Sequence, residues 1–259
     1  MRHGKIIFIL ILMPVIAVAG IIYANPKRAA STLWDATHLG NIATIIPPDD
    51  PKLYLKIGNY YFGKGDYNLI KAEKNFRRAL MLDPATQTAH YQLARINFLK
   101  SNFAEAIWQI DREISLNENF GKSYYVKGLI QGYMGQSDEA ILNFKKFIAY
   151  DSYNWAGYND LAWVYFKKGE FAQTKDAALK GLKRDPGNPW LNNSLGLALL
   201  NLGQKKEAKR AFETALEKLK KIAPEDWGKA YPGNNPNIYA QGLKEMRESV
   251  SYNLALTLE

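Results

Sequence analysis

The side chains that most often carry out catalysis or bind metals are few in this sequence and lie far apart. The three histidines are His3, His38 and His90, and there is no cysteine. The acidic pairs Asp49–Asp50 and Glu225–Asp226 lack the surrounding oxygen ligands of a metal-binding loop. No HExxH pair, glycine-rich phosphate loop or GxSxG elbow occurs. We therefore expect no catalytic site, metal or cofactor, no small-molecule substrate, and a protein that is not an enzyme.

The elements that would position any functional side chain repeat along the chain. The copies begin at Ile57, Leu93, Lys127, Leu161 and Leu195, at spacings of 36, 34, 34 and 34 residues. Each copy has a small residue directly after its start, a second small residue or threonine further on, and a third position, usually apolar and large, four residues later. These three sets are Gly58, Ala94, Gly128, Ala162 and Gly196; Ala72, Ala106, Ala140, Thr174 and Ala208; and Phe76, Ile110, Phe144, Ala178 and Phe212.

Within each copy, the apolar residues predict two helices. They recur at spacings of three and four, which places them on one face of a helix. In the fourth copy one stripe ends at Tyr165, Gly169 marks a turn, and a second stripe begins at Phe171. Two such helices with a short link form an antiparallel hairpin. One hairpin cannot bury its apolar face alone, so we expect successive hairpins to stack.

This pattern resembles the tetratricopeptide repeat (TPR) family over about residues 52–222. The resemblance implies an all-α fold, a right-handed α-solenoid of about five helix hairpins. We place the repeats at about 52–86, 87–120, 121–154, 155–188 and 189–222, and expect a loop and C-terminal capping helices over 223–259.

The resemblance also implies a binding surface. In this family the first helices of successive repeats line a concave groove that holds peptides or partner helices. The outward positions of these helices predict a peptide-binding groove lined by Lys56, Asn59, Tyr91, Arg95, Lys122, Tyr125, Asn159, Trp163 and Asn193. Amides can bond a peptide backbone while rings cover its apolar side chains. The alternative is that these side chains only pack on the next helix or face solvent. Leu55 and Val126 replace basic residues of the family's clamp for chaperone C-termini, which argues against that ligand.

The first 24 residues predict a membrane-targeting segment. Ile6–Ala24 is 19 residues without a charge, and as a helix it would span about 28 Å, roughly the thickness of a hydrocarbon core. We predict an N-terminal transmembrane helix over residues 1–24. The alternative is a cleavable signal peptide, since Pro14 precedes the small triplet Ala17–Ala19. Against it, the apolar run continues through Tyr23.

Two basic residues lie on each side of the stretch, and the free amino terminus favours an N-inside orientation. In that orientation both alternatives place the remainder of the chain outside the cytoplasm. We therefore expect a single-pass protein of the cell membrane whose repeats are extracytoplasmic. Residues 25–51 would be a linker, with a short helix that begins at Ser31 or Thr32.

The charge distribution bears on the class of partner. The net charge is +9 and the sequence pI is about 9.4, but no block of five or six like charges occurs. The basic residues form a solvated surface or attract an anionic partner. Nucleic-acid binding requires a continuous basic stripe with stacking aromatics, so we do not expect it.

These features predict a membrane-tethered TPR scaffold that binds a protein or peptide partner through the groove. The alternative is a non-catalytic accessory subunit of an enzyme complex for envelope polymer assembly or export, which the basic charge and the tether favour.

Overall fold

Every regular element that the structure describes is helical, which confirms the all-α prediction. The computed structural model describes residues 26–38, 49–64, 66–231 and 233–258. In chain order the α-helices are α1 (Pro26–Thr37), α2 (Pro51–Asn59), α3 (Leu69–Leu82), α4 (Ala89–Leu99), α5 (Phe103–Leu116), α6 (Lys122–Tyr133), α7 (Ser137–Tyr150), α8 (Trp155–Lys167), α9 (Phe171–Leu182), α10 (Pro189–Asn201), α11 (Lys205–Leu219), α12 (Pro224–Ala230) and α13 (Tyr239–Ala255). The predicted transmembrane helix, residues 1–24, lies outside the described residues, and no helix among those described is long and apolar enough to cross a membrane.

The chain divides into two compact units, Met1–Ala89 and His90–Glu259. The first contains the helices of the first repeat, α2 and α3, together with α1. The second contains α5 to α13 and nearly all of α4, and thus the four hairpins α4–α5, α6–α7, α8–α9 and α10–α11.

In the first unit, α1 forms part of the packed core, where the sequence analysis had placed a linker. The Trp34 side chain is buried, and its ring contacts the rings of Tyr60 and Tyr61 at centroid distances of 5.2 and 6.2 Å. The helix begins at Pro26, so Ser31 lies inside it and does not cap it. After α2, a π-helical turn over Tyr60–Lys64 lies in the stretch where the first copy is two residues longer than the others.

The two helices of each hairpin approach closely where the sequence has its small residues. A Cβ atom on Gly196 would lie 2.5 Å from the ring of Phe212, and one on Gly128 would lie 3.0 Å from the ring of Phe144. Where the first helix carries alanine at this position, the second helix carries a smaller partner. These pairs are Ala94 with Ile110 and Ala162 with Ala178. The size of one side chain therefore compensates for the size of the other, as close packing requires.

Successive hairpins of the second unit pack on one another. Helix α7 contacts α8, α9 contacts α10, and among the first helices α8 contacts both α6 and α10. The interfaces are filled by buried apolar side chains such as Ile141, Leu161 and Val164. Each large apolar side chain that becomes fully buried contributes about 1.5–3 kcal/mol. This stacking holds the first helices side by side.

Each hairpin of the second unit turns through the same backbone motif. The φ angles are 59° at Ser101, 80° at Gly135, 75° at Gly169 and 73° at Gly203, positions 34 residues apart. In each turn the next amide donates to the carbonyl five residues before it, as in Asn102 N to Asn97 O at 2.8 Å. This is the Schellman motif, which needs a left-handed residue and favours glycine. Ser101 occupies that position at a steric cost.

The C-terminal segment covers the last hairpin. Helix α13 packs on α11 and buries Leu243 and Val250, as expected of a capping helix. The Arg247 guanidinium donates to the carbonyls of Leu219 and Ile222, which satisfies groups left open at the end of α11. Where the sequence predicted only a loop, the short helix α12 packs on α13 instead, because the Trp227 ring fits against Gly242.

The shared turn motif yields a reciprocal prediction. Ser101→Gly should raise the free energy of unfolding by about 1 kcal/mol, because it removes the left-handed strain. Gly169→Ser should lower it by a similar amount. Thermal unfolding followed by circular dichroism measures both changes. As a control, Ser115→Gly inside helix α5 should be destabilising, by about 0.5 kcal/mol. A Ser101→Gly protein less stable than the parent would contradict this account of the turn.

Candidate functional site

The first helices α4, α6, α8 and α10 present polar and aromatic side chains at spacings of four. Such pairs lie on one helix face, and they include Tyr91 with Arg95, Tyr125 with Leu129 and Asn159 with Trp163. Asparagine side chains fix where two of these helices begin. Asn154 Oδ1 accepts from Ala156 N at 3.2 Å, and Asn188 Oδ1 accepts from Leu191 N at 3.0 Å.

A basic cavity, here called the Arg95 cavity, lies over α4 and α6. Its volume is about 340 Å³. It is lined by Tyr91, Arg95, Phe98, Lys122, Tyr125, Val126, Leu129, Phe147, Asn154, Trp155, Ala156, Lys229, Ala230, Tyr231 and Asn234. Three of these lining side chains are basic and none is acidic. The Arg95 guanidinium lies 5.6 Å from the centre of the Tyr91 ring and donates to Gln92 Oε1 at 2.9 Å.

A second cavity, here called the Asp160 cavity, lies over α6, α8 and α10. Its volume is about 280 Å³. It is lined by Leu129, Tyr133, Asn159, Asp160, Ala162, Trp163, Phe166, Thr174, Trp190, Asn193, Ser194, Leu197 and Met246. Its walls are mainly aromatic and aliphatic, and Asp160 is the one acidic group among these lining residues.

A short hydrogen bond lies between the two cavities. The Tyr125 hydroxyl donates to Asp160 Oδ2 at 2.6 Å, Asn159 Nδ2 donates to Asp160 Oδ1 at 3.1 Å, and the Ser194 hydroxyl donates to Asn159 Oδ1 at 3.0 Å. Burial raises the pKa of Asp160 to about 6, and the two donated hydrogen bonds act in the opposite direction. Burial, and then the neighbouring carboxylate, raise the pKa of Tyr125 well above its usual range, so this hydroxyl keeps its proton.

Seven of the nine predicted groove residues lie at these cavities. Tyr91, Arg95, Lys122 and Tyr125 line the Arg95 cavity, and Asn159, Trp163 and Asn193 line the Asp160 cavity. The other two lie on α2 in the first unit. Lys56 is exposed and forms an ion pair with Asp35, and Asn59 is exposed. The structure thus assigns these seven residues to two cavities of unlike charge.

The predicted groove omitted two parts of this surface. One is Asp160, and the signal for it is local, since it is the only acidic residue in helix α8, whose other residues except Asn159 and Lys167 are aromatic, apolar or glycine. The other is the group Lys229, Ala230, Tyr231 and Asn234, which lies in the wall of the Arg95 cavity. No spacing in the sequence reveals that second contact, because it depends on how the C-terminal segment folds back.

Two of the three histidines, His38 and His90, have structural contacts, and His3 lies outside the described residues. His90 is buried, and its Nδ1 lies 2.6 Å from Gln109 Oε1. His38 stacks on Tyr60 at a centroid distance of 4.8 Å. Within the described ranges, no group of three histidine or acidic side chains is arranged to hold a metal ion.

Comparison with known proteins identifies the family. Models described as tetratricopeptide repeat match residues 55–115, 125–189 and 177–210, which together make up more than half of the chain. The chain belongs to the TPR family. Proteins of this family are typically non-catalytic scaffolds for protein interactions. A TPR repeat-containing protein of Methanocaldococcus jannaschii is 30% identical over 109 residues, which is 41% of this chain and 19% of that relative. The matched segment thus spans about a fifth of that relative's length.

Solved structures of TPR proteins resemble this one. The crystal structure of MamA matches with a TM-score of 0.57 and 26% identity, and the match covers 66% of this chain and 92% of that one. The crystal structure of PilW, described as a widely conserved type IV pilus biogenesis factor, matches with a TM-score of 0.60. That match covers 81% of this chain and 98% of PilW at 17% identity, and it shows the fold alone.

The raised pKa of Asp160 predicts a pH-dependent stability. Between about pH 4 and 6 the Asp160 carboxyl is protonated in the folded chain and ionised in the unfolded chain. The free energy of unfolding therefore rises as the pH falls through 6. Above pH 6 the ionised group costs the fold on the order of 3 kcal/mol. Asp160→Asn should therefore raise the free energy of unfolding at pH 7.5, by on the order of 1–3 kcal/mol, and remove this dependence. Denaturant titrations of the parent and the variant at pH 5 and 7.5 measure the free energy of unfolding.

The neighbours of Asp160 keep this prediction specific. Tyr125 and Tyr133 face it from α6 with raised pKa values, and α10 has no ionisable side chain. Asp176→Asn is a matched control, since Asp176 is exposed and pairs with Lys180. It should change stability by less than about 0.5 kcal/mol. If Asp160→Asn were no more stabilising than this control at pH 7.5, the burial cost would be disproved.

Proposed function

We propose that this protein is a membrane-tethered TPR scaffold that binds an extended segment of a protein partner in the groove formed by the first helices of repeats two to five. The observation that carries this proposal is the pair of cavities of opposite charge on α4, α6, α8 and α10, which share Leu129 in their linings. A polypeptide segment carries both kinds of charge and apolar groups within a few residues, so it can occupy both cavities.

The Arg95 cavity has the chemistry to hold an anionic group of the partner. Arg95, Lys122 and Lys229 lie in its wall, and Lys229 is held by an ion pair with Asp226 at 2.5 Å. Basic side chains that converge on one cavity attract a carboxylate and orient it. The Tyr91 and Trp155 rings in the same wall can cover apolar parts of the segment.

The two cavities suit single side chains of a partner segment. Their volumes of about 280 and 340 Å³ lie at the lower end of the range for ligand pockets. Lys229, Ala230, Tyr231 and Asn234 contribute to the wall of the Arg95 cavity. An extended backbone that passes over both cavities can place one side chain in each.

The membrane tether is a proposal supported by the sequence alone. The uncharged stretch Ile6–Ala24 lies outside the described residues, and its length suits one membrane span. With the amino terminus inside the cell, the repeats would lie outside the cytoplasm, close to the membrane surface. A tether of this kind raises the local concentration of the groove for partners in the same membrane.

The alternative function is that of a non-catalytic accessory subunit in a complex for envelope polymer assembly or export. PilW is described as a pilus biogenesis factor, and its repeats share the fold of this chain. The alternative uses the same groove and differs in the partner, which would be an enzymatic subunit.

A crosslinking experiment tests the groove. A photoreactive amino acid at Lys122, exposed on α6 at the Arg95 cavity, should yield a discrete crosslinked protein in the cells that produce this chain. The same amino acid at Leu142, exposed on the second helix α7, should not. Adding Arg95→Ala and Trp163→Leu should reduce the Lys122 product at least about tenfold, because both cavities lose contacts. Equal crosslinking from Lys122 and Leu142, or no effect of the double substitution with unchanged helical circular dichroism, would refute the groove.

The topology can be mapped because the chain has no cysteine of its own. We expect a cysteine at exposed Lys145, on α7, to react with an impermeant maleimide in intact spheroplasts, since the repeats would face outward. A cysteine at Lys5 should react only after detergent treatment, because it would lie on the cytoplasmic side. The reverse labelling pattern would overturn the proposed orientation, and recovery of the chain from the soluble fraction would overturn the tether.

A further inference from the structure

The Asp160 cavity contains a negative charge without a counter-charge. Asp160 is partly buried in the cavity wall, and none of the ion pairs found among the described residues involves it. A carboxylate in such a place is costly to the fold unless a cation joins it.

The surrounding hydrogen bonds hold the carboxylate in one orientation and leave it room to accept more. Each oxygen accepts one bond, Oδ2 from the Tyr125 hydroxyl and Oδ1 from Asn159 Nδ2. An ionised carboxylate has about four acceptor positions, so each oxygen retains a free one. Asn159 is held in turn by the Ser194 hydroxyl. The group is therefore preorganised, and a ligand meets no reorganisation cost there.

The walls of the cavity have the character that a large cation prefers. Tyr133, Trp163, Phe166 and Trp190 contribute rings. The faces of aromatic rings attract ammonium and guanidinium groups, and indole does so most strongly. The Trp163 ring already binds one cation of this chain, since Lys167 Nζ lies 4.8 Å from the ring centre. Lys167 is retained there by a bond of 3.0 Å to the Gly132 carbonyl, and it is not among the residues that line the cavity.

We propose that the Asp160 cavity holds the side chain of an arginine or lysine of the partner segment, with the cationic group on Asp160 and its methylene stem against Trp163 and Trp190. This inference rests on the proposed function and names the chemistry of its ligand. A guanidinium would bond both carboxylate oxygens at once and stack on an indole ring, whereas an ammonium would act as a point charge.

The neighbouring Arg95 cavity determines the direction in which the partner segment binds. It is lined by three basic groups and shares Leu129 with the Asp160 cavity. A segment that fills both cavities carries an acidic residue and a basic residue only a few positions apart. The reverse placement would set like charges against each other in both cavities, which disfavours that direction of binding. The charges therefore set the direction in which the segment lies in the groove.

The test selects peptides from a phage library of random nonapeptides against the full chain, solubilised in detergent. We expect the selected peptides to contain arginine or lysine at one shared position. In the selected peptide, replacement of that residue by norleucine should weaken binding at least about tenfold, because a partly desolvated ion pair is lost. Fluorescence anisotropy measures this affinity. Arginine and lysine versions of the same peptide then show whether bidentate bonding matters.

Two protein variants complete the design. Asp160→Asn keeps the shape of the side chain and removes its charge, so it should bind the arginine and norleucine peptides equally well. Asp176→Asn, on the exposed surface of α9, should preserve the preference. Selected peptides without a shared basic residue, or a preference that survives Asp160→Asn, would overturn this inference and leave the groove function standing. Failure to select any peptide would count against both.

Discussion

In every hairpin of the second unit, a glycine or alanine on the first helix faces the side chain that fills the space between the two helices. The approach is so close that a methyl group on Gly196 would lie within 2.5 Å of the Phe212 ring. Phenylalanine pairs with glycine, and the smaller isoleucine and alanine pair with alanine. This contact sets the distance between the helices, and the distance determines how the next hairpin can stack. The position of every side chain on the first helices follows from it.

The stacked first helices form a surface on which an unfavourable group can persist. Asp160 is the one acidic residue in an aromatic helix, and at neutral pH its ionised form opposes folding. The packing energy of several hairpins exceeds this cost, because buried apolar side chains such as Leu161 and Val164 anchor the same helix. A residue that lowers the stability of the fold is typical of positions that bind a ligand. The Tyr125 and Asn159 hydrogen bonds reinforce this view, since they orient the carboxylate toward the cavity.

The net charge of +9 says little about the groove. Most basic side chains are dispersed, and several are engaged in surface pairs such as Lys180 with Asp176 and Lys221 with Glu217. What distinguishes the binding surface is the separation of charge, with three basic groups in one cavity and a carboxylate in the next. Two cavities of opposite charge determine which partner segments bind and in which direction they lie, whereas the overall charge determines neither.

The periodic sequence by itself determined the all-α class, the hairpin repeat and the residues at which helices approach, because the helical period and the need of each hairpin for a neighbour leave few other arrangements. It also placed seven groove residues on the first helices, since outward positions follow from register. The start of helix α1 and the presence of helix α12 differ from what the sequence predicted, because both depend on long-range contacts. Helix α1 extends to Pro26 because Trp34 packs on Tyr60 and Tyr61, and α12 forms because Trp227 fits against Gly242.

Only the tertiary structure brought Asp160 together with Tyr125, a residue of the preceding repeat, and placed Lys229 and Arg95 in the lining of one cavity. Register along one helix shows which way a side chain points, whereas the charge and solvation that it meets depend on side chains from other helices. The acidity of Asp160, the separation of charge between the two cavities and the space left for a ligand all arise at contacts between residues distant in sequence. The pattern of a single repeat therefore determines the architecture, and the packing of several repeats determines the chemistry of the surface.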